Sequence, residues 1–274
     1  MILRVYLDNP SINHQGPKMR LSPVPTPVAS AIAALMLLAC AASPAFAAPV
    51  KNIVLVHGAF ADGSGWKPVY DILTRDGYNV NMVQQPMTSL EDDVAATVRV
   101  LSRQQGPSIL VGHSYGGAVI TQAGTDPHVA GLVYIAAHAP DTGESPSSNR
   151  AKMPGATKAI GATQDGYLFL DPAHFHEDFA GDLPADQAEF MARSQMPASV
   201  RAMTTPIVNP AWRVKPSWYM VATDDRTINP DLERMYAARA HSHTVEVKGA
   251  HTIFISQAKA VAAMIEDAAK STEN

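Results

Sequence analysis

At 274 residues, 46% of them hydrophobic and only 17% charged, the chain can bury one large core or two small ones, which excludes a disordered or low-complexity protein. A formal net charge of −4 offers no basic surface to a nucleic acid or an anionic membrane, so neither is expected as a partner.

Near the start, Lys18 and Arg20 precede a run of small and apolar residues from Val28 to Ala41, and Ala45-Phe46-Ala47 follows. A basic stretch, a short apolar run and an A-x-A site describe a secretory signal cleaved after Ala47, with Met19-Arg20 opening a leader of ordinary length. The apolar run is too short to remain as a membrane span. Residues 1–47 are therefore read as a leader, and the protein is expected to be exported to the periplasm or the medium. The single cysteine, Cys40, lies inside this leader, so the processed chain would have no thiol. Leu37-Leu38-Ala39-Cys40 also has the outline of a lipoprotein signal, which leaves a lipid anchor through Cys40 as the alternative.

From residue 48 onward, strand and helix patterns alternate. Ile53 to His57 is an apolar strand, followed by a Gly-rich loop and a helix from about Trp66 to Arg75 that Gly77 stops. Tyr78 to Val83 is the next strand, and Ser89-Leu90-Glu91-Asp92 opens a helix reaching about Arg103. Ser108 to Val111 is a buried strand that leads through a glycine-pinched turn into a helix over 118–123, and Ala130 to Ala136 is another strand. The rhythm breaks between Asp141 and Trp212, where prolines recur and only short helices such as Ala185 to Met196 fit. It resumes with a strand at Ser217 to Ala222, a helix from Pro230 to Ala240, a strand at Thr244 to Val247 and a last helix from Phe254 to Lys270. Such alternation predicts an α/β fold with a mostly parallel sheet and helices on both faces. An insertion after a strand's C-terminal end lies over the crevice where such sheets bind ligands, so 141–212 is read as a helical lid on a domain spanning 48–274.

Gly112-His113-Ser114-Tyr115-Gly116 is a G-x-S-x-G elbow, in which a serine sits on a strained strand-to-helix turn with its hydroxyl above the sheet. A serine hydroxyl is a poor nucleophile at neutral pH and needs a base within hydrogen-bond reach and an acid to orient that base. Asp225, just beyond the strand 217–222, and His251, in the loop after the last strand, lie at the same sheet edge as Ser114. Asp224 competes with Asp225, which is favoured because it stands five residues before the helix-opening Pro230. Backbone amides of Tyr115 and of the loop His57-Gly58-Ala59-Phe60 are placed to receive an oxyanion, Ala59 before Phe60. Phe60 and His113 are also candidate substrate contacts.

The His-Gly-Ala-Phe loop, the elbow, Asp225 and Gly249-Ala250-His251 together resemble the α/β-hydrolase superfamily over essentially all of residues 50–270 outside the lid. Within it, the loop and the short Asp-to-His spacing are similar to the branch holding plant methyl-ester esterases, hydroxynitrile lyases and many bacterial serine esterases. The resemblance implies Ser114, Asp225 and His251 as the triad and Ala59 and Tyr115 as the oxyanion hole. The lyases resemble one another in a lysine after the histidine, where this chain has Thr252, and dehalogenases and epoxide hydrolases have an aspartate where Ser114 stands.

The expectation is thus an exported serine hydrolase acting on a small to medium, partly apolar carboxylic ester through an acyl-enzyme. A lactone, amide or peracid substrate on the same triad, or a non-catalytic small-molecule receptor, are the alternatives. No cofactor is needed. His174 and His176, beside Glu177 and Asp178, and the pair His241 and His243 would face the same way in an extended stretch and are candidate metal ligands. Neither pair has a third ligand at a recognisable spacing, so no metal is expected. Phe60, Trp66, Tyr115, Phe175, Met191 and Met196 are either pocket lining or core. Nothing in the sequence sets the oligomeric state.

Overall fold

The computed structural model describes residues 50–272. The leader, with Cys40 and the cleavage site after Ala47, lies outside the described residues.

In chain order the elements are β1 (Asn52–Val56), α1 (Lys67–Arg75), β2 (Asn79–Val83), α2 (Leu90–Leu101), β3 (Ser108–Ser114), α3 (Gly116–Ala123) and β4 (Val129–Ala137). The insertion follows, with α4 (Pro146–Lys152), β5 (Ile160–Ala162), β6 (Tyr167–Leu170), α5 (Pro172–Asp178), α6 (Ala185–Ser194), β7 (Ala198–Ser199) and α7 (Val200–Thr204). The chain ends with β8 (Ser217–Ala222), α8 (Pro230–Arg239), β9 (His243–Val247), α9 (Ile253–Ser256) and α10 (Ala258–Ser271). The main sheet has the order β2-β1-β3-β4-β8-β9, and every pairing in it is parallel.

Apolar residues over most of the central strands make this sheet possible, because alternate side chains enter opposite cores. Val54, Val56, Leu110, Leu132, Tyr134, Tyr219 and Val221 pack on one face against α2, α3, α8 and the insertion. Ile53, Leu55, Ile109, Val111, Val133, Ile135, Trp218 and Met220 pack on the other face against α1, α9 and α10. The edge strand β9 is mostly exposed, and its Glu246 is held by a two-pronged contact from Arg234 of α8 at 2.7 and 2.8 Å. Among the described residues no helix is long and apolar enough to cross a membrane.

Three details differ from the sequence reading. The segment 141–212 contains an antiparallel sheet, β5-β6-β7, in addition to helices. Its strands have two to four residues, too few for alternation to register against the surrounding prolines. His174 and His176 lie in the helix α5, where a two-residue spacing turns side chains apart. His174 lies 3.4 Å from Asp171, and His176 donates to the Leu183 carbonyl at 3.0 Å. The last helix is interrupted at Gln257, giving α9 and α10.

The insertion leaves and rejoins the domain side by side. Arg213 donates twice to Asp141 Oδ1, at 2.7 and 3.0 Å, and the Trp212 indole donates to the Pro140 carbonyl at 3.1 Å. Glu144, just inside, ties the insertion to α8. Its carboxylate accepts from Arg239 at 2.9 and 3.1 Å, from Asn149 at 2.8 Å and from the Asp141 amide at 2.9 Å. Burial alone would raise its pKa, but these donors, Arg239 first, hold it down to about 2 from the ordinary 4.5. A depressed carboxyl stabilises the fold fully above its unfolded value and loses that contribution as pH falls toward the folded one. The stability gap between wild type and Glu144→Gln, measured by urea denaturation, is therefore expected to be constant above about pH 4.5 and to shrink as pH falls toward 2.

Candidate active site

β3 runs into the elbow and ends at Ser114, whose φ of +54° is in the left-handed region that side chains seldom adopt. The pairing with β4 shifts register between His113 and Ser114, and α3 begins two residues later. This turn needs small neighbours. A Cβ on Gly58 would stand 2.5 Å from the Ser114 Cβ, and one on Gly116 would stand 2.5 Å from the Val56 carbonyl oxygen. Of the glycines flanking the serine, Gly116 thus answers to the close approach of the end of β1 and Gly112, where a Cβ would stand 2.6 Å from the Gly116 carbonyl oxygen, to the tightness of the turn, and the strain falls on the serine itself.

Ser114, Asp225 and His251 meet at the C-terminal edge of the sheet. The Ser114 hydroxyl lies 2.8 Å from His251 Nε2, and His251 Nδ1 lies 2.5 Å from Asp225 Oδ2. With Nδ1–H donating to the carboxylate, Nε2 is left to accept from the serine. Asp225 Oδ1 accepts the amides of Thr227 and Ile228 at 2.7 and 2.8 Å, so the carboxylate is fixed from behind. Asp224 is exposed, and its amide donates to the Gly249 carbonyl at 3.1 Å. Asp225 faces the imidazole and Asp224 does not.

The candidate oxyanion donors are similarly sorted. The Phe60 amide donates to the Met196 carbonyl at 3.1 Å. Among the described residues, the amides of Ala59 and Tyr115 donate to no protein acceptor. Tyr115 is held by its other end, since its hydroxyl donates to Asp93 Oδ2 at 2.7 Å while Asp93 Oδ1 accepts the Met87 amide at 2.8 Å. Burial raises the Asp93 pKa to about 6 despite these donors.

The elbow's other histidine stands behind the site. His113 Nε2–H donates to the His251 carbonyl at 2.9 Å, and its ring packs on the His251 and Phe254 rings at 4.6 and 4.2 Å between centroids. Burial, then the neighbouring His251, lowers its pKa well below that of free histidine, so it is neutral. Among the described residues its Nδ1 is buried without a partner. Thr252, beside His251, donates to Asp182 Oδ1 at 2.8 Å, and Asp182 Oδ2 accepts the Ala250 amide and the Ser256 hydroxyl at 2.9 and 2.6 Å. Asp182 belongs to the insertion, so the cover clamps the histidine loop. No motif in the sequence singles it out.

Little of this site meets solvent: Ser114 is 5% exposed and His251 0%. Of the aromatic and Met residues weighed as lining, Trp66, Tyr115 and Phe175 are core. Phe60 and Met191, with Ile255 and Phe190, line a groove of about 450 Å³ between the β1–α1 loop and α6. Among the described residues, no group of three or more His, Cys, Asp or Glu side chains is placed to hold a metal ion.

Comparison with known proteins places this arrangement. A family profile described as "Alpha/beta hydrolase family" matches residues 53–264. The chain is 29% identical over 161 residues to a pyrethroid hydrolase of Sphingobium wenxiniae, an alignment covering 50% of this chain and 57% of that protein. The match thus spans little more than half the length of that relative. Among solved structures, a pyrethroid hydrolase from Sphingobium faniae superposes with a TM-score of 0.70 at 26% identity, covering 80% of this chain and 97% of that one. Polyneuridine aldehyde esterase shares the fold with a TM-score of 0.69 at 18% identity, covering 80% and 98% of the two chains.

Proposed function

This chain belongs to the alpha/beta hydrolase family, and on that premise we propose that it is a serine esterase that cleaves a small to medium, partly apolar carboxylic ester through an acyl-enzyme. The observation that carries this reading is the unbroken relay from Ser114 through His251 to Asp225, at 2.8 and 2.5 Å, beside two backbone amides with no protein acceptor. As Ser114 Oγ bonds to the ester carbonyl carbon, His251 Nε2 takes the serine proton, and Asp225 stabilises the resulting imidazolium and keeps its ring oriented. The amides of Ala59 and Tyr115 hold the oxygen that becomes negative. His251 then returns the proton to the leaving alcohol, and water repeats the sequence on the acyl-enzyme.

The likeness to proteins described as pyrethroid hydrolases supports an apolar substrate. Export belongs to the same reading and rests on the residue pattern over 18–47. A fluorophosphonate probe is expected to label the protein on the peptide containing Ser114 and to abolish hydrolysis of p-nitrophenyl esters. An unlabelled protein that binds such esters without turnover would make it a receptor instead.

A further inference from the structure

Glu233 is a buried acid that the mechanism above leaves unused. It stands in the first turn of α8 and is 0% exposed. Its Oε2 accepts the amide of Ala222, the last residue of β8, at 3.0 Å. Its Oε1 is sealed from solvent and receives no hydrogen bond from any donor among the described residues. Asp225 stands in the turn that follows β8, where its amide donates to the carbonyl of the same Ala222 at 3.3 Å, so the two buried acids share one corner and Asp225 is the charged neighbour of Glu233. Of the other groups around it, Tyr219 is engaged with the Ala137 carbonyl, and Arg234 turns outward to Asp231 and Glu246.

Two neighbouring carboxyl groups that are both buried, with no cation between them, favour sharing a single negative charge. The donors decide which one bears it. Asp225 accepts three N–H groups, from Thr227, Ile228 and His251, whereas Glu233 accepts only one. We propose that Glu233 is a neutral carboxylic acid whose O–H donates to Asp225, completing the set of donors that holds the triad carboxylate in place. Burial, and then the charge of Asp225, push its pKa well above the usual carboxylate range, which agrees with the geometry. Glu233 is a positioning residue, since it acts on the reacting atoms only through Asp225 and His251. The inference rests on Asp225 being the triad acid.

Two variants separate this role from simple packing. Glu233→Gln keeps an oxygen for the Ala222 amide and an N–H for Asp225, and it should stay within about threefold of wild-type kcat/KM. Glu233→Met keeps the volume but offers Asp225 no donor. It should lose about 10- to 100-fold, mainly in kcat, with the acidic limb of its kcat/KM profile moved to higher pH because Asp225 loses a donor that shares its charge. The infrared difference spectrum of wild type minus Glu233→Gln at neutral pH should show the carbonyl stretch of a protonated carboxylic acid. Absence of that band, or a Glu233→Met enzyme with an unmoved pH profile, would overturn the proposal. If the Met variant does not fold, the infrared comparison decides alone. A wild type that shows the band but neither hydrolyses esters nor labels at Ser114 would instead overturn the esterase reading.

Discussion

Ser114→Ala is expected to lower kcat for ester hydrolysis by roughly a millionfold, as loss of the nucleophile does in triad enzymes generally. Alanine retains the Cβ that makes φ +54° unfavourable, and it fits where the serine stood. The urea midpoint should therefore move by no more than corresponds to about 1 kcal/mol. Ester turnover by the purified variant, followed alongside its unfolding curve, checks both halves. Turnover surviving in a folded Ser114→Ala protein would show that another group attacks the carbonyl.

Asp225→Asn should cost about ten-thousandfold in kcat. The asparagine oxygen can still accept the amides of Thr227 and Ile228, so its NH2 would face His251 Nδ1. An N–H there forces the ring proton onto Nε2, which then points a proton at the serine and cannot take one. Asp224→Asn, one residue earlier but exposed, should stay within about twofold of wild type. Steady-state kinetics of the two variants side by side test which carboxylate serves the histidine. Equal losses would mean that neither geometry governs the rate.

Much of this was legible before any coordinates. Strands covered on both faces are apolar over most of their length, so β1, β3, β4 and β8 stood out through the runs 53–56, 109–111, 132–137 and 218–222. The elbow stood out because only glycine fits where the turn doubles back on β3 and passes the end of β1, and that restriction appears directly in the residues. Asp224 and Asp225 could not be separated in the same way, since which of two neighbours turns inward depends on a loop's dihedral angles, and periodicity says nothing about those. Asp93 and Glu233 were hidden for another reason. Each stands in the first turn of a helix, where acidic residues ordinarily serve the helix dipole, yet each is buried. The short strands of the insertion carried too few residues to show a period, and Asp182 reaches the histidine loop across a sequence separation of about 70 residues.

The amide of Phe60 grips the carbonyl of Met196, so the cover and the residue next to Ala59 are yoked together. If Ala59 serves as proposed, grafting a foreign cover onto this scaffold to retune its substrate preference would also re-aim the amide that is to receive the developing negative charge. Selectivity and speed would then be mechanically geared to one another, and a library that randomises residues near Met196 would sample both at once.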